Sequence, residues 1–196
     1  MVAREKTEQV RQLVVKAADQ LFYQKGYNLT SFSDIASASN VPRGNLNYYF
    51  KTKSEVLVAV IQYRVTEMQQ MLDDWELKYK TPLERLQRYA QIVSNVRNEV
   101  TQYGCPMGTL NLELGKAQQG LQKITVEQFE VFELWIKKQF QLMGCSKKNA
   151  TKFTMHLMVW TQGISTMAYI HRDNQLINKE VKSIHAWLAS CNADFD

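Results

Sequence analysis

The residues best suited to chemistry lie in the stretch VPRGNLNYYFKTKSEV, positions 41–56. Arg43, Asn45, Asn47, Tyr48 and Tyr49 crowd one short segment, with Lys51 and Lys53 just behind it. Guanidinium and amide groups match the donor and acceptor pattern of base edges, while tyrosine hydroxyls and lysines reach phosphates. Leu46 and Phe50 stand four residues apart, one helical turn, and supply an apolar underside. The chemistry on offer is recognition of double-stranded DNA, with no bond made or broken.

Other chemistries find little support. The chain holds no nucleophile elbow, glycine-rich phosphate loop, paired-carboxylate set or cofactor fingerprint, so an enzyme on a helical scaffold is the weakest reading and no cofactor is expected. His156, His171 and His185 share no metal-ligand spacing with any cysteine or carboxylate, and no metal is expected.

The elements that must position the 41–56 segment are legible around it. Apolar residues at helical spacing from Val10 to Phe22 give a first helix over about 6–25, with Gly26 as its stop. Thr30 or Ser31 caps a short second helix, 32–39, that has Asp34 in its first turn and buries Phe32, Ile35 and Ala36. Asn40 suits a left-handed turn, and Pro42 opens a third helix, 43–50. Two short helices joined this way form a helix-turn-helix, whose second helix enters the major groove. Thr52 then caps a long helix over 53–80. Further helices follow at about 82–102, 107–117, 121–143, 147–172 and 178–191. The chain is all-α.

Composition agrees. The 196 residues hold 45% hydrophobic side chains, 8 Gly and 3 Pro, which favours a folded helical protein. A formal net charge of +5 permits a polyanionic partner. Residues 1–60 carry eight Lys/Arg against five Asp/Glu, so the excess is densest at the N-terminus. Three scattered cysteines form no disulfide framework and fit a reducing cytoplasm. No signal peptide opens the sequence and no membrane-spanning run occurs, so a cytoplasmic location is expected.

From Gly26 through Leu57 the sequence resembles the TetR family of bacterial transcription regulators. The resemblance rests on Gly26-Tyr27, Thr30, Ile35-Ala36, Val41-Pro42-Arg43-Gly44, Leu46, Tyr49-Phe50, Lys53 and Leu57. It implies a DNA-binding head over 1–53 and a helical ligand-binding and dimerisation body over 54–196. It also implies a regulator, most simply a repressor, that grips a pseudo-palindromic operator as a homodimer. By the same resemblance Arg43, Gly44, Asn45, Asn47, Tyr48 and Tyr49 contact DNA, and Ser31 and Lys53 touch phosphate. Asn47 departs from the family, which usually has tyrosine there, so operator sequences do not transfer.

The resemblance further implies pairing of the last two long helices, 147–172 and 178–191, between two copies. A small apolar ligand would be received by the middle helices, with Tyr89, Val93, Val96, Tyr103, Leu110, Phe132, Trp135, Met155 and Trp160 as candidate lining. A DNA-binding protein without ligand input is the alternative. The segment YGCPMGTLNLE, 103–113, breaks the chain with Gly104, Pro106 and Gly108 around Cys105. Its Gly-Cys-Pro-x-Gly run resembles a subset of the family. Two readings of Cys105 stay open: a thiol sensor ahead of a helix N-terminus, or a small buried hydrophobe in a helix junction.

Overall fold

The computed structural model describes residues 2–191, with side chains described for 7–116 and 118–191. Ten helices and no strand occur among the described residues. They are α1 (Val2–Gln24), α2 (Phe32–Ser39), α3 (Arg43–Tyr49), α4 (Lys53–Lys78), α5 (Pro82–Asn95), α6 (Arg97–Tyr103), α7 (Pro106–Ala117), α8 (Gln119–Leu142), α9 (Lys147–His171) and α10 (Asn174–Cys191).

The boundaries follow local chemistry. Ser31, rather than Thr30, is the N-cap of α2: its hydroxyl accepts from Asp34 N–H at 3.1 Å, and Asp34 accepts from Ser31 N–H at 2.8 Å. Asn40 ends α2 in the left-handed region, φ 55, as its short polar side chain permits. Thr52 Oγ1 accepts from Glu55 N–H at 3.1 Å where α4 begins. Thr81 and Glu84 form a second capping box ahead of α5.

Two differences from the sequence reading have physical reasons. The helix anticipated over 82–102 is two helices, broken at Val96 with φ −114, ψ 29. The hydrogen-bond ladder survives on both sides, Val96 N–H to Ile92 O and Val100 N–H to Val96 O. The bend instead serves packing, since α6 lies on α9 and against α10. Arg172 donates to the carbonyls of Thr101 and Gln102 at 2.7 Å each, and Thr101 bonds Asn174, so α6 is tied from the side. The helix expected over about 121–143 begins earlier, at Gln119, so Gly120 lies in its first turn, where no neighbour stands within 4 Å of a built Cβ.

The chain divides into two compact units. The first comprises the residues up to Glu67 together with Thr109–Gln128. Its core joins Val14, Ala18 and Phe22 of α1, Ile35 of α2, Leu46 of α3, Val56, Leu57, Val60 and Ile61 of α4, and Leu110 and Leu114 of α7. Each buried Val, Leu, Ile or Phe among them contributes roughly 1.5–3 kcal/mol. Arg64 and Asp19 make an ion pair at 2.5 Å that is mostly buried, and Arg64 also reaches Gln128.

The second unit comprises Met68–Gly108 and the residues from Phe129 on. Here α10 packs along α5 and α9 over a core that includes Leu86, Ile136, Phe140, Leu157, Ile177, Ile184 and Leu188. Aromatic rings fill one side: Phe140, Phe153, Trp160 and Trp187 stack edge-on or tilted, with centroids 5.6–6.1 Å apart.

Candidate nucleic-acid interface

Helix α3 is short, and its sequence divides it cleanly. Leu46 is fully buried, and Phe50, which follows in extended conformation, is 2% exposed. Both share the core with Ile35, and the Arg11 guanidinium covers the Phe50 ring at 4.9 Å. The opposite face carries Arg43, Gly44, Asn45, Asn47 and Tyr48, all exposed. Tyr48 is 73% exposed, far above what a buried-core tyrosine shows. Tyr49 is half-buried against the core, its ring edge-on to Tyr48 at 5.2 Å. The structure therefore separates two neighbouring tyrosines that the sequence treats alike.

Gly44 lies in open space, with nothing within 4 Å of where a Cβ would stand. No packing within the chain demands a glycine there.

The two lysines behind α3 are already engaged. Lys51 Nζ donates to Asn47 O at 2.7 Å, closing the carbonyl end of α3, where a cation is favoured by the helix dipole. Its own N–H donates to Glu55 Oε2 at 2.8 Å, so the start of α4 carries an acid as well as the cations. Lys53 Nζ donates to Tyr27 O at 2.8 Å and Thr30 O at 3.0 Å, and sits over the Tyr27 ring at 4.3 Å. Burial pulls the Lys53 pKa down from its ordinary value, with the negative charge of Glu113 opposing that shift. Ser31 is exposed at the start of α2. Its hydroxyl donates to Asp34 Oδ2 at 2.8 Å, and these bonds, with Lys25, hold the Asp34 carboxyl at about 2.

Two residues essential to this geometry escape sequence reasoning. Glu113 on α7 accepts from the N–H groups of Tyr27 and Asn28 at 2.9 and 2.7 Å. Gln118 Nε2 donates to Asn28 Oδ1 at 2.9 Å. Nothing in the sequence flags a contact across 85 or more positions.

The candidate ligand-lining residues are placed unevenly. Tyr89, Val93, Phe132 and Trp135 are buried in the core of the second unit. Tyr89 and Phe132 meet edge-on at 5.1 Å, and Tyr89 Oη lies 3.4 Å from Thr161 Oγ1. Burial pushes the Tyr89 phenol up to about 12. Tyr103 is half-buried. Trp160 donates to Glu180 at 3.1 Å and stacks with Trp187 and His156. Val96, at the helix break, and Met155 are 38% and 50% exposed, and are not brought into that core. Leu110 packs in the core of the first unit. Helix α9 is apolar on two faces, and spacing alone does not say which face of it points inward.

Cys105 is half-buried between α6 and α7. Its Sγ accepts from Gly108 N–H at 3.5 Å and from Gln162 Nε2 at 3.4 Å. Cys145 and Cys191 are buried, and burial raises the Cys145 thiol pKa. No group of three His, Cys, Asp or Glu residues among those described is arranged to hold a metal. No described helix is long and apolar enough to cross a membrane.

Residues 14–60 match the family model of bacterial regulatory proteins, tetR family. Residues 82–182 match that of the transcriptional regulator LmrA/YxaF-like, C-terminal domain. Over 115 residues the chain is 33% identical to an uncharacterized HTH-type transcriptional regulator in the lacX 3' region of Lactococcus lactis subsp. lactis, an alignment spanning 58% of this chain and 59% of that protein. It is 28% identical over 130 residues to the HTH-type transcriptional repressor DhaR of Mycobacterium sp. (strain GP1), spanning 65% and 62%. The chain thus aligns with about three-fifths of the length of these relatives. A TetR transcriptional regulator from Chloroflexus aurantiacus J-10-FL shares the fold with a TM-score of 0.82 at 17% identity, over 94% of this chain and 96% of that one. With the two models matched in order, and the second covering just over half of the 196 residues, this chain belongs to the TetR family of bacterial regulatory proteins and carries an LmrA/YxaF-like C-terminal domain.

Proposed function

We propose that the protein is a homodimeric transcriptional repressor that holds a pseudo-palindromic operator and lets go of it when a small apolar ligand binds. The observation that carries the reading is α3: an apolar underside locked into the core and an exposed face of Arg43, Gly44, Asn45, Asn47 and Tyr48. Arg43 and Asn47 supply base-edge donors and acceptors, each good bidentate pair discriminating by about 1–3 kcal/mol. Tyr48, Tyr49 and Ser31 supply hydroxyls for phosphates. Lys53 reaches phosphate only by sharing its ammonium with the carbonyls of Tyr27 and Thr30.

Two copies would pair through α9 and α10. Supporting this, α9 exposes Met155, Val159, Met167 and Ile170 in a stripe with Gly163 at its centre, a face that water does not favour. A pseudo-palindromic operator would then offer the two α3 helices major grooves about one helical turn apart. The ligand would be received among Tyr89, Val93, Phe132 and Trp135, an aromatic lining suited to apolar compounds. A hundredfold loss of DNA affinity requires about 2.7 kcal/mol of coupling between the sites.

Selection of duplexes from a random pool, followed by fluorescence anisotropy across a salt series, tests the reading. Selective binding with a steep salt slope supports it. Equal affinity for selected and random DNA at every salt removes it. A thermal-shift screen of apolar compounds separates a ligand-responsive repressor from a DNA-binding protein without ligand input.

A further inference from the structure

Residues 26–30, between α1 and α2, are gripped from both chemical sides. Gly26 enters with φ 89, a conformation that favours glycine, and a Cβ there would stand 3.1 Å from a Glu113 carboxylate oxygen. Successive N–H groups of Tyr27 and Asn28 converge on that carboxylate at 2.9 and 2.7 Å. The carbonyls of Tyr27 and Thr30 face the Lys53 ammonium at 2.8 and 3.0 Å. Thr30, 1% exposed, closes the turn by donating to Gly26 O at 2.7 Å. An anion satisfies the donors and a cation the acceptors, which makes these charge-assisted bonds about twice as strong as neutral ones.

The next residue, Ser31, caps α2, and α2 packs against α3. The main chain held by Glu113 therefore sets where α2 starts and where Lys53 points. We infer that Glu113 is a positioning residue for DNA recognition: it fixes the 26–30 turn so that Ser31, Lys53 and α3 meet an operator in register. This rests on the DNA-binding reading above.

The side chain's charge makes the inference sharply testable. Glu113→Gln removes a negative charge, so electrostatics alone predicts tighter binding to any DNA. Positioning predicts the reverse for an operator, because a neutral amide presents one oxygen, and its NH2 group opposes the N–H that Oε1 or Oε2 accepted. The probes are a duplex recovered by wild-type selection from a random pool and a shuffled duplex of the same length. Exposed Glu127, in the same unit, gives the charge-matched control Glu127→Gln. Expected is about tenfold weaker operator binding for Glu113→Gln, with affinity for shuffled DNA equal or higher and faster hydrogen exchange at the Tyr27 and Asn28 amides. Glu113→Asp keeps the charge with a shorter reach. It should show the same operator defect to a smaller degree, and stands in if Glu113→Gln does not fold. Operator affinity within twofold of Glu127→Gln, or exchange at Tyr27 and Asn28 unchanged in both Glu113 variants, overturns the inference and leaves the DNA reading intact. Failure of the wild type to select any duplex overturns the DNA reading itself, and the inference with it.

Discussion

A Cβ atom on Gly108 would stand 2.8 Å from Oε1 of Gln162, the residue whose Nε2 donates to Cys105 Sγ at 3.4 Å. The obstructing atom is the tip of a flexible side chain, so Gly108→Ala should fold. Alanine in a helix gains about 0.5–1 kcal/mol over glycine, which offsets the displaced contact. Gln162 should swing away and leave the sulfur with one donor fewer. With the Gln162 side chain moved or removed, Sγ loses a covering group, so alkylation of Cys105 by iodoacetamide should quicken in Gly108→Ala and in Gln162→Ala alike. Equal rates in all three proteins would mean that Gln162 does not tune the thiol.

Gly44 and Leu46 should respond in opposite ways. Leu46→Ala empties a fully buried position and should cost about 2–5 kcal/mol, seen as a fall in the denaturation midpoint. Gly44→Ala meets no neighbour, so the free protein should be as stable or slightly more so. If α3 lies against DNA as proposed, operator affinity should nevertheless fall, because the new methyl would stand where a phosphate or base edge comes near. Unchanged operator binding by Gly44→Ala would place the DNA elsewhere than against this turn of α3.

Much of this head was readable because its signals are local. Ser31 with Asp34, Asn40, and the Leu46–Phe50 pair each act within four residues, and each stands where the spacing puts it. The break at Val96 was not readable, because valine carries no turn chemistry and helical bonding continues on both sides of it. The outward turn of Met155 was hidden for another reason: α9 is apolar on two faces, and periodicity identifies faces without naming the partner of each. Glu113 lies beyond any local signal, since its partners are 85 and 86 positions away.

Acid should reach the α2 cap late. The Ser31 N–H and hydroxyl, with Lys25, lower the Asp34 pKa from 3.8 to about 2. A depressed folded-state value means that the contribution is whole above pH 3.8 and is lost as pH falls through about 2. Asp34→Asn should lower the denaturation midpoint at neutral pH, and its deficit against the wild type should shrink between those two values. A deficit independent of pH across that window would show that the charge of Asp34 is immaterial to the cap.

The exposed stripe on α9 gives a separate prediction about pairing. Val159 is 61% and Met167 44% exposed, so lysine at either site should be tolerated by the isolated chain. In a dimer built on α9 each substitution places two like charges in an apolar seam. Dimer affinity should fall by about tenfold to a hundredfold, about 1.4–2.7 kcal/mol, measured by light scattering over a dilution series. Operator affinity should fall in parallel. Retention of the wild-type dimer by Val159→Lys and Met167→Lys would move the interface off this face.

The first compact unit takes in Thr109–Gln128 as well as the N-terminal residues, and Leu110 and Leu114 are part of its core. Its borders in space are therefore not its borders along the gene. A chimera that exchanges only the N-terminal segment between two such regulators would graft a head onto a foreign α7, with mismatched side chains where Leu110, Glu113 and Leu114 belong. Engineered exchanges of DNA specificity should succeed when both stretches travel together, and natural recombination at a single crossover should rarely yield a working regulator.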